Sequence, residues 1–201
     1  MNHIDLGTVL RRTVCDLYSD LVTRPTGAAV RDGIERQLAE LGERTLTVID
    51  FSHVGLLDYS CADEIVAKLL IRQCADLPAP AEAPDELRAA EAGRRRSHDA
   101  YFLFRGVSDS HLDAIETVLE RHGLAIVAQV DDGSVVLVGE IGESERRAWE
   151  ALRRLGRAVP ADLARELGLD AADLQPALDA LCRRRLAMRF DEHYIAVGAI
   201  P

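Results

Sequence analysis

Aromatic residues are scarce in this sequence: phenylalanine, tyrosine and tryptophan together make up 4% of its 201 residues. Long apolar runs are absent as well, since no stretch approaches the roughly 18 apolar residues of a membrane-spanning helix. No apolar segment near the amino end resembles a signal peptide. We therefore expect a cytoplasmic protein with no membrane association. Hydrophobic residues still form 48% of the chain, which is enough for a sizeable core.

Cysteine is sparse and scattered. The four cysteines, Cys15, Cys61, Cys74 and Cys182, form no Cys-x-x-Cys pair and no cluster with histidine. A disulfide framework does not fit a cytoplasmic protein, and the spacing predicts no zinc site. We expect neither a metal nor another cofactor.

The charge is distributed unevenly along the chain. The formal net charge is -10, and residues 144–201 contain ten Arg against nine Asp or Glu, which leaves about -11 for residues 1–143. The acidic part should not be attracted to nucleic acid by its overall charge. The nearly neutral last part leaves DNA binding open without supporting it.

Helical periodicity and β-branched runs alternate over residues 1–141, which predicts an α/β domain. Residues 75–99 contain three prolines and many alanines, and they are typical of a flexible surface loop. Helices are predicted over 6–20, 27–42 (with Gly42 as the C-cap), 56–70 and 108–123, and strands over 45–51, 100–107, 124–130 and 134–141.

Residues 144–201 follow another pattern: three helices with a tight turn after the second, then the small hairpin "LAMRF-DEH-YIAVG". This order resembles a bacterial winged helix-turn-helix domain over about 50 residues. The recognition helix would begin at "DAADLQPALDAL", where acidic side chains would face phosphates unfavourably. We favour a protein-docking or dimerising role and keep DNA binding as the alternative. The candidate DNA-binding residues are Gln175, Arg183, Arg184 and Arg185.

The segment "TVIDFSHVGLLDYSCADEIVAKLL" resembles the central strand-turn-helix of STAS domains, the fold of anti-sigma factor antagonists. In that family a strand ending in Asp-Leu-Ser-x-Val precedes Asp-Ser-Ser-Gly at a helix N-terminus. Here "IDFSHV" and "LDYSCADE" fill the two parts, and the second is closer to STAS-like variants with Ser-Phe-Ala-Asp-Glu. Upstream, "TRPTG" resembles the Thr-Arg-x-x-Gly segment of those variants. The resemblance covers residues 20–140.

This resemblance implies a switch module that docks on a protein partner, often a GHKL-type ATPase that acts as an anti-sigma kinase, and not an enzyme. In the family, the partner phosphorylates the Ser that follows Asp at the helix N-terminus, where an added phosphate disturbs docking. Tyr59 stands at that position here, Ser60 aligns with the second Ser, and Cys61 replaces the Gly. The implied partner-binding or switch residues are Asp58, Tyr59, Ser60, Cys61, Asp63 and Glu64.

The same residues also have local interpretations. Ser60 is predicted to be the helix N-cap, with Asp63 at N3, and phosphorylation of Ser60 stays open beside it. Cys61 is more simply a buried core thiol than a reactive one. Asp58 and Glu64 as a carboxylate pair for acid–base chemistry lack a histidine or nucleophile in register. A hydrolase using Asp58 and Cys61 is a weak third idea, because it would need a concave pocket that the sequence does not indicate.

Near Gly27, Thr23, Arg24 and Arg31 are candidate anion-binding residues; a salt bridge to Asp58 or Glu64 is the alternative. His53, His111 and His122 are isolated in sequence and are expected at the surface or with their bonding satisfied.

The sequence therefore predicts an STAS-like α/β domain at 1–141 and a winged helix-turn-helix domain at 144–201. The function it favours is a non-enzymatic bacterial regulatory protein that docks on a protein partner. A transcription regulator, whose STAS-like domain senses a partner or ligand while the winged helix binds DNA, is the alternative. Homodimerisation is left open.

Overall fold

A computed structural model describes residues 1–13, 19–40, 44–73 and 99–199. The loop predicted at 75–99 lies outside these residues except for Asp99, and so do Cys15, Cys74, Gly42 and residues 14–18 of the first predicted helix. Within the described part, the chain alternates strands and helices as predicted. The elements in order are β1 Asn2–Asp5, α1 Leu6–Thr13, α2 Arg24–Ala39, β2 Arg44–Asp50, α3 Tyr59–Ala62, a π-helical segment Asp63–Ala67, α4 Lys68–Gln73, β3 Asp99–Val107, α5 Asp109–His122, β4 Ala125–Val130, β5 Val135–Gly139, α6 Glu143–Leu155, α7 Pro160–Leu167, α8 Ala171–Arg183, β6 Ala187–Phe190 and β7 His193–Ala196.

Five strands form one mostly parallel sheet in the order β1-β2-β3-β4-β5. The first four strands are parallel neighbours, and β5 returns antiparallel to β4 through the turn that contains Gly133. In the centre, β2 pairs with β3 from Arg44↔Asp99 to Asp50↔Arg105. This register places the carboxyl ends of β1, β2 and β3 side by side. The mixed α/β class predicted from the sequence is confirmed.

Apolar residues cover both faces of this sheet, as the run of apolar residues in β2 predicts. Helices α1 to α5 pack on one face, where Ile49, Phe102 and Phe104 belong to the larger core cluster. On the opposite face Val48, Tyr101 and Leu103 share a second cluster with residues of α6, α7 and α8. Residues 143–199, three helices and a two-stranded antiparallel hairpin, therefore pack against the sheet itself.

Local sequence explains where α5 begins and ends. The Ser108 side chain accepts a hydrogen bond from the backbone N–H of His111, and the His111 ring accepts one from the Ser108 N–H, which completes a capping box. Gly123 ends the helix with φ of 62°, a left-handed conformation that glycine adopts without strain. Both ends agree with the helix predicted over 108–123.

Helix α2 departs from its prediction at both ends. It begins at Arg24, three residues before the predicted start, because Pro25 lies in the first turn, where its missing N–H costs nothing. Thr23 is its N-cap and accepts a hydrogen bond from the Thr26 N–H. The helix ends at Ala39 with Glu40 as its C-cap, and the predicted C-cap Gly42 lies outside the described residues.

The helix predicted over 56–70 is present from Tyr59 to Gln73, and it contains a π-helical segment in the middle. Single π turns inside α-helices are uncommon and often occur at functional sites. No helix of the described ranges is both long enough and apolar enough to cross a membrane.

Candidate functional site

Helix α3 begins where the chain leaves a short extended segment after β2. Leu57 forms a parallel β-bridge with Leu21, and the Asp58 N–H donates to the Leu21 carbonyl oxygen. Asp58 then keeps an extended backbone and caps α3 by accepting from the Ser60 N–H at 3.1 Å. The prediction that Ser60 is the N-cap is wrong, because Ser60 lies inside the first turn of α3. Its hydroxyl donates to Asp58 Oδ2 at 2.6 Å.

Both hydrogen bonds from Ser60 stabilise the ionised form of Asp58 and lower the pKa of its carboxyl group. The Ser60 hydroxyl is half-buried and already engaged as a donor. Asp58 and Ser60 therefore form a helix-capping pair in this structure.

The six predicted switch residues separate into an outer and an inner group. Tyr59 is 47% exposed, and Asp58 and Ser60 are half-buried beside it. Cys61, Asp63 and Glu64 are buried below them. The structure thus brings three of the six residues to the surface and places the other three in the protein interior.

Three large apolar side chains lie exposed around the amino end of α3. Val22 and Leu56 flank the Leu21–Leu57 bridge and are 45% and 57% exposed, because neighbouring residues of an extended segment point to opposite sides. Tyr59 follows them in the first turn of α3. We call these three residues, with the carboxylates of Asp20, Asp58 and Asp113, the α3 surface.

Each of these carboxylates accepts a hydrogen bond from a residue at or just before the start of α3. The Tyr59 hydroxyl donates to Asp113 Oδ2 at 2.8 Å, a bond that raises the pKa of Tyr59. The Leu56 N–H donates to Asp20 Oδ1 at 3.2 Å. The α3 surface therefore combines exposed apolar side chains with carboxylates bonded to the same segments.

A network of ion pairs lies beneath this surface and holds the π-helical segment. Arg24 donates to Asp63 at 2.7 Å and to Glu64 at 2.8 Å, and both Arg31 and Lys68 also donate to Glu64. His122 of α5 contacts Asp63 at 2.9 Å. We call these six residues the π-helix network; it joins α2, α4 and α5.

The sequence left open whether Thr23, Arg24 and Arg31 bind an anion or form salt bridges within the chain, and the π-helix network bears on that choice. Arg24 and Arg31 bind carboxylates of this chain, as the Glu64 salt-bridge alternative states, and Thr23 caps α2. Burial on its own would raise the pKa of Asp63 and Glu64. Hydrogen bonds from Arg24 and His122 to Asp63, and from Lys68 and Arg24 to Glu64, outweigh burial and lower both pKa values.

Cys61 has the environment of a core thiol. Its Sγ donates to the Thr23 carbonyl oxygen at 3.0 Å, and burial raises the pKa of the thiol. Helix α2 passes close by, since a Cβ at Gly27 would lie 2.9 Å from Cys61 Cα. A raised pKa disfavours the thiolate that nucleophilic catalysis requires.

The sequence did not reveal a second polar cluster, which lies at the carboxyl ends of β1, β2 and β3. Arg105 donates to Asp50 Oδ2 at 2.6 Å, and His3 Nε2 lies 2.9 Å from the same oxygen. His53 Nδ1 lies 3.3 Å from Asp5 Oδ1. We call these five residues the carboxyl-edge cluster. Asp50, at the end of the predicted strand 45–51, was the available indication, whereas the strand that ends at Asp5 was not predicted.

Hydrogen bonds dominate the electrostatics of the carboxyl-edge cluster. Burial would raise the pKa of Asp50, but bonds from Ser52, Arg105 and His3 outweigh it and hold that pKa well below its ordinary value. The pKa of Asp5 is lowered in the same way, by bonds from Thr8, His53 and Gly7. Asp50 therefore stays ionised and orients both Arg105 and His3.

His111, the third histidine that the sequence analysis named, is buried against Phe51, with ring centroids 5.9 Å apart. Its Nε2 lies 3.3 Å from the Gly55 carbonyl oxygen. Across the described ranges, no group of three or more His, Cys, Asp or Glu side chains has a geometry that could hold a metal ion.

The four candidate DNA-binding residues do not form one surface. Gln175 donates to Asp179 Oδ1 at 2.8 Å, and Arg184 donates to the Glu140 carbonyl oxygen at 2.8 Å. The Arg185 guanidinium lies over the Tyr101 ring, 5.5 Å from its centroid. Arg183 alone is exposed. Arg184 and Arg185 thus attach residues 143–199 to the neighbouring five-stranded sheet.

No protein-family model, curated protein or solved structure matches this chain.

Proposed function

We propose that this chain is a non-enzymatic bacterial regulatory protein that docks on a protein partner through the α3 surface. The observation that carries the proposal is the exposure of Val22, Leu56 and Tyr59 beside one another, bordered by carboxylates. Apolar side chains gathered at a polar border are typical of protein interaction sites. The carboxylates favour a partner with basic residues around an apolar contact.

The resemblance to STAS-like modules supports this proposal, because Leu56, Asp58 and Tyr59 of the α3 surface lie in the segment that carries it. In this proposal the segment 47–70 is the STAS-like strand-turn-helix, and a GHKL-type ATPase is the class of partner. Tyr59 is the residue whose state would control docking, since its hydroxyl is exposed and contacts Asp113. A phosphate there would meet the negative charge of Asp58 and Asp113.

Residues 143–199, which we interpret as a winged helix, would provide a second docking surface. The DNA-binding alternative has less support from the contacts. Arg184 and Arg185 are directed to Glu140 and Tyr101, and Asp170 and Asp173 lie exposed at the start of α8. Carboxylates at the start of a recognition helix would repel DNA phosphates.

Affinity capture from a native bacterial lysate tests the proposal. The wild type is compared with Leu56→Lys and with a matched control, Leu169→Lys, whose leucine is 40% exposed on the other face of the sheet. We expect Leu56→Lys to lose a specific partner that the control retains. Equal capture by all three proteins would contradict docking through the α3 surface. Retention on DNA that falls steeply with salt would favour the alternative.

A further inference from the structure

A second surface with an exposed apolar side chain lies on the opposite side of the sheet, between the end of α6 and α7. It is a shallow groove of about 280 Å³ in which Leu155 is 42% exposed. We call it the α6–α7 groove. Its lining residues are Leu155, Arg157, Ala158, Asp162, Arg165 and Glu166.

The lining of the α6–α7 groove contains two Arg and two carboxylates, and Arg154 beside the groove adds one further positive charge. Arg165 pairs with Asp162 and Arg154 with Glu166, each at 3.0 Å, so the two carboxylates of the groove are already neutralised. Arg157 is exposed and forms no ion pair with any residue that the structure describes. The groove therefore presents an apolar side chain beside a free positive charge.

The α3 surface has the complementary character. Its exposed apolar residues are bordered by Asp20, Asp58 and Asp113, and the α6–α7 groove joins Leu155 to Arg157. Apolar contact together with opposite charge is the combination that aligns and steers two protein surfaces. We infer that the α6–α7 groove receives the α3 surface of a second copy of this chain. This inference rests on the proposed docking role of the α3 surface.

The two surfaces differ, so their contact is heterologous, and a pair of bound copies leaves one surface of each kind free. Such a head-to-tail contact can repeat, and it gives assemblies that grow with protein concentration. Because the contact has an electrostatic component, salt weakens it. Self-association also covers Leu56 and Tyr59, and it therefore competes with the protein partner of the proposed function.

Sedimentation of the purified full-length protein tests the inference without any partner. We expect the average mass of the wild type to exceed that of a dimer at high concentration and to fall between about 0.1 M and about 1 M salt. Leu56→Lys places a positive charge against Arg157, and Leu155→Glu places a negative charge against the carboxylates. Each variant alone should remain monomeric.

A mixture of the two variants distinguishes the head-to-tail contact from a general loss of association. Leu155→Glu keeps an intact α3 surface and Leu56→Lys keeps an intact groove, so an equimolar mixture should form a one-to-one heterodimer. If a charged variant fails to fold, Leu56→Ala and Leu155→Ala, which add no charge, take its place. Each should also weaken self-association. Unchanged circular dichroism establishes that each variant is folded.

A wild type that stays monomeric at every concentration would overturn the inference, as would association that neither variant reduces. The proposed function is tested separately by partner capture. A monomeric wild type whose partner is lost in Leu56→Lys would leave the proposed function in place and remove only the self-association.

Discussion

Asp58 and Ser60 lie two residues apart at the start of α3, and their side chains have different roles. Both residue types are good N-caps, so sequence preference alone does not choose between them. The choice follows from the Leu21–Leu57 bridge, which keeps the chain extended through Leu57 and lets Asp58 accept from the Ser60 N–H. A contact between segments 36 residues apart therefore decides which residue caps the helix.

Replacing the cap should cost more stability than replacing the residue that it binds. Asp58→Ala removes the acceptor of the Ser60 N–H, and we expect a loss of about 1 kcal/mol in the free energy of unfolding. Ser60→Ala keeps that acceptor and should cost clearly less. Urea denaturation of both variants measures the difference. A larger loss in Ser60→Ala would contradict the assignment of Asp58 as the cap.

Asp50 should make stability depend on pH in the acidic range. Its pKa in the folded protein lies below the ordinary value of 3.8, so its contribution is complete well above that value and is lost as the pH falls through the folded pKa. Asp50→Asn should lower the free energy of unfolding at pH 7 by about 1–2 kcal/mol. It should also flatten the fall in stability below about pH 4.

The measurement is the free energy of unfolding of the wild type and Asp50→Asn between about pH 3 and pH 7. Asp5, Asp58, Asp63 and Glu64 also have lowered pKa values, so the wild-type slope reports several carboxylates together. The difference between the two proteins isolates Asp50. Parallel curves would show that Asp50 has no lowered pKa.

At the scale of the elements, the π-helix network fixes α2, α4 and α5 to one another. Glu64 is 3% exposed and receives hydrogen bonds from Arg24, Arg31 and Lys68. Arg31 is 7% exposed, so its charge has little access to water. Buried ion pairs of this kind cost free energy to assemble, and removing one partner leaves the other charge uncompensated.

Glu64→Gln should therefore destabilise the protein far more than loss of an exposed ion pair. We expect a loss of about 3 kcal/mol, because Arg31 would keep its charge in the interior with only the exposed Asp32 as its ion-pair partner. The matched control is Glu166→Gln, which breaks the exposed pair with Arg154 and should cost less than about 1 kcal/mol. Thermal or urea unfolding of both variants measures the contrast, and equal losses would contradict it.

Local elements were more predictable than the contacts between them. The cap and the end of α5 follow from Ser108 and Gly123, and β2 follows from its β-branched run, whereas the short strand β1 was not predicted. The His122–Asp63 contact joins residues 59 positions apart, and Arg105 reaches Asp50 across 55 positions. Such contacts depend on sheet order, which the periodicity of a single segment does not contain. The sequence therefore indicated Asp58 and Tyr59 of the α3 surface, but neither its other residues nor the carboxyl-edge cluster.

At the scale of the whole molecule, one sheet supports both halves of the chain. Val48, Tyr101 and Leu103 of β2 and β3 pack with Trp149, Leu152 and the other core residues of the last three helices. Polar contacts reinforce the junction, since Arg146 and Arg153 donate to carbonyl oxygens of β5. Displacing residues 143–199 would expose an apolar face of the sheet to water, which is unfavourable in proportion to its area.

This shared core leads to a prediction about unfolding. Separate domains at 1–141 and 144–201, as predicted from the sequence, would be free to unfold in two steps, whereas a common sheet couples them into one. Trp149, 2% exposed and the only tryptophan, reports on the last three helices through its fluorescence, and far-ultraviolet circular dichroism reports on all the helices and strands. We expect the two urea transitions to coincide, as in a two-state protein. Fluorescence that changes at lower urea than circular dichroism would show that residues 143–199 leave the sheet first and form a domain of their own.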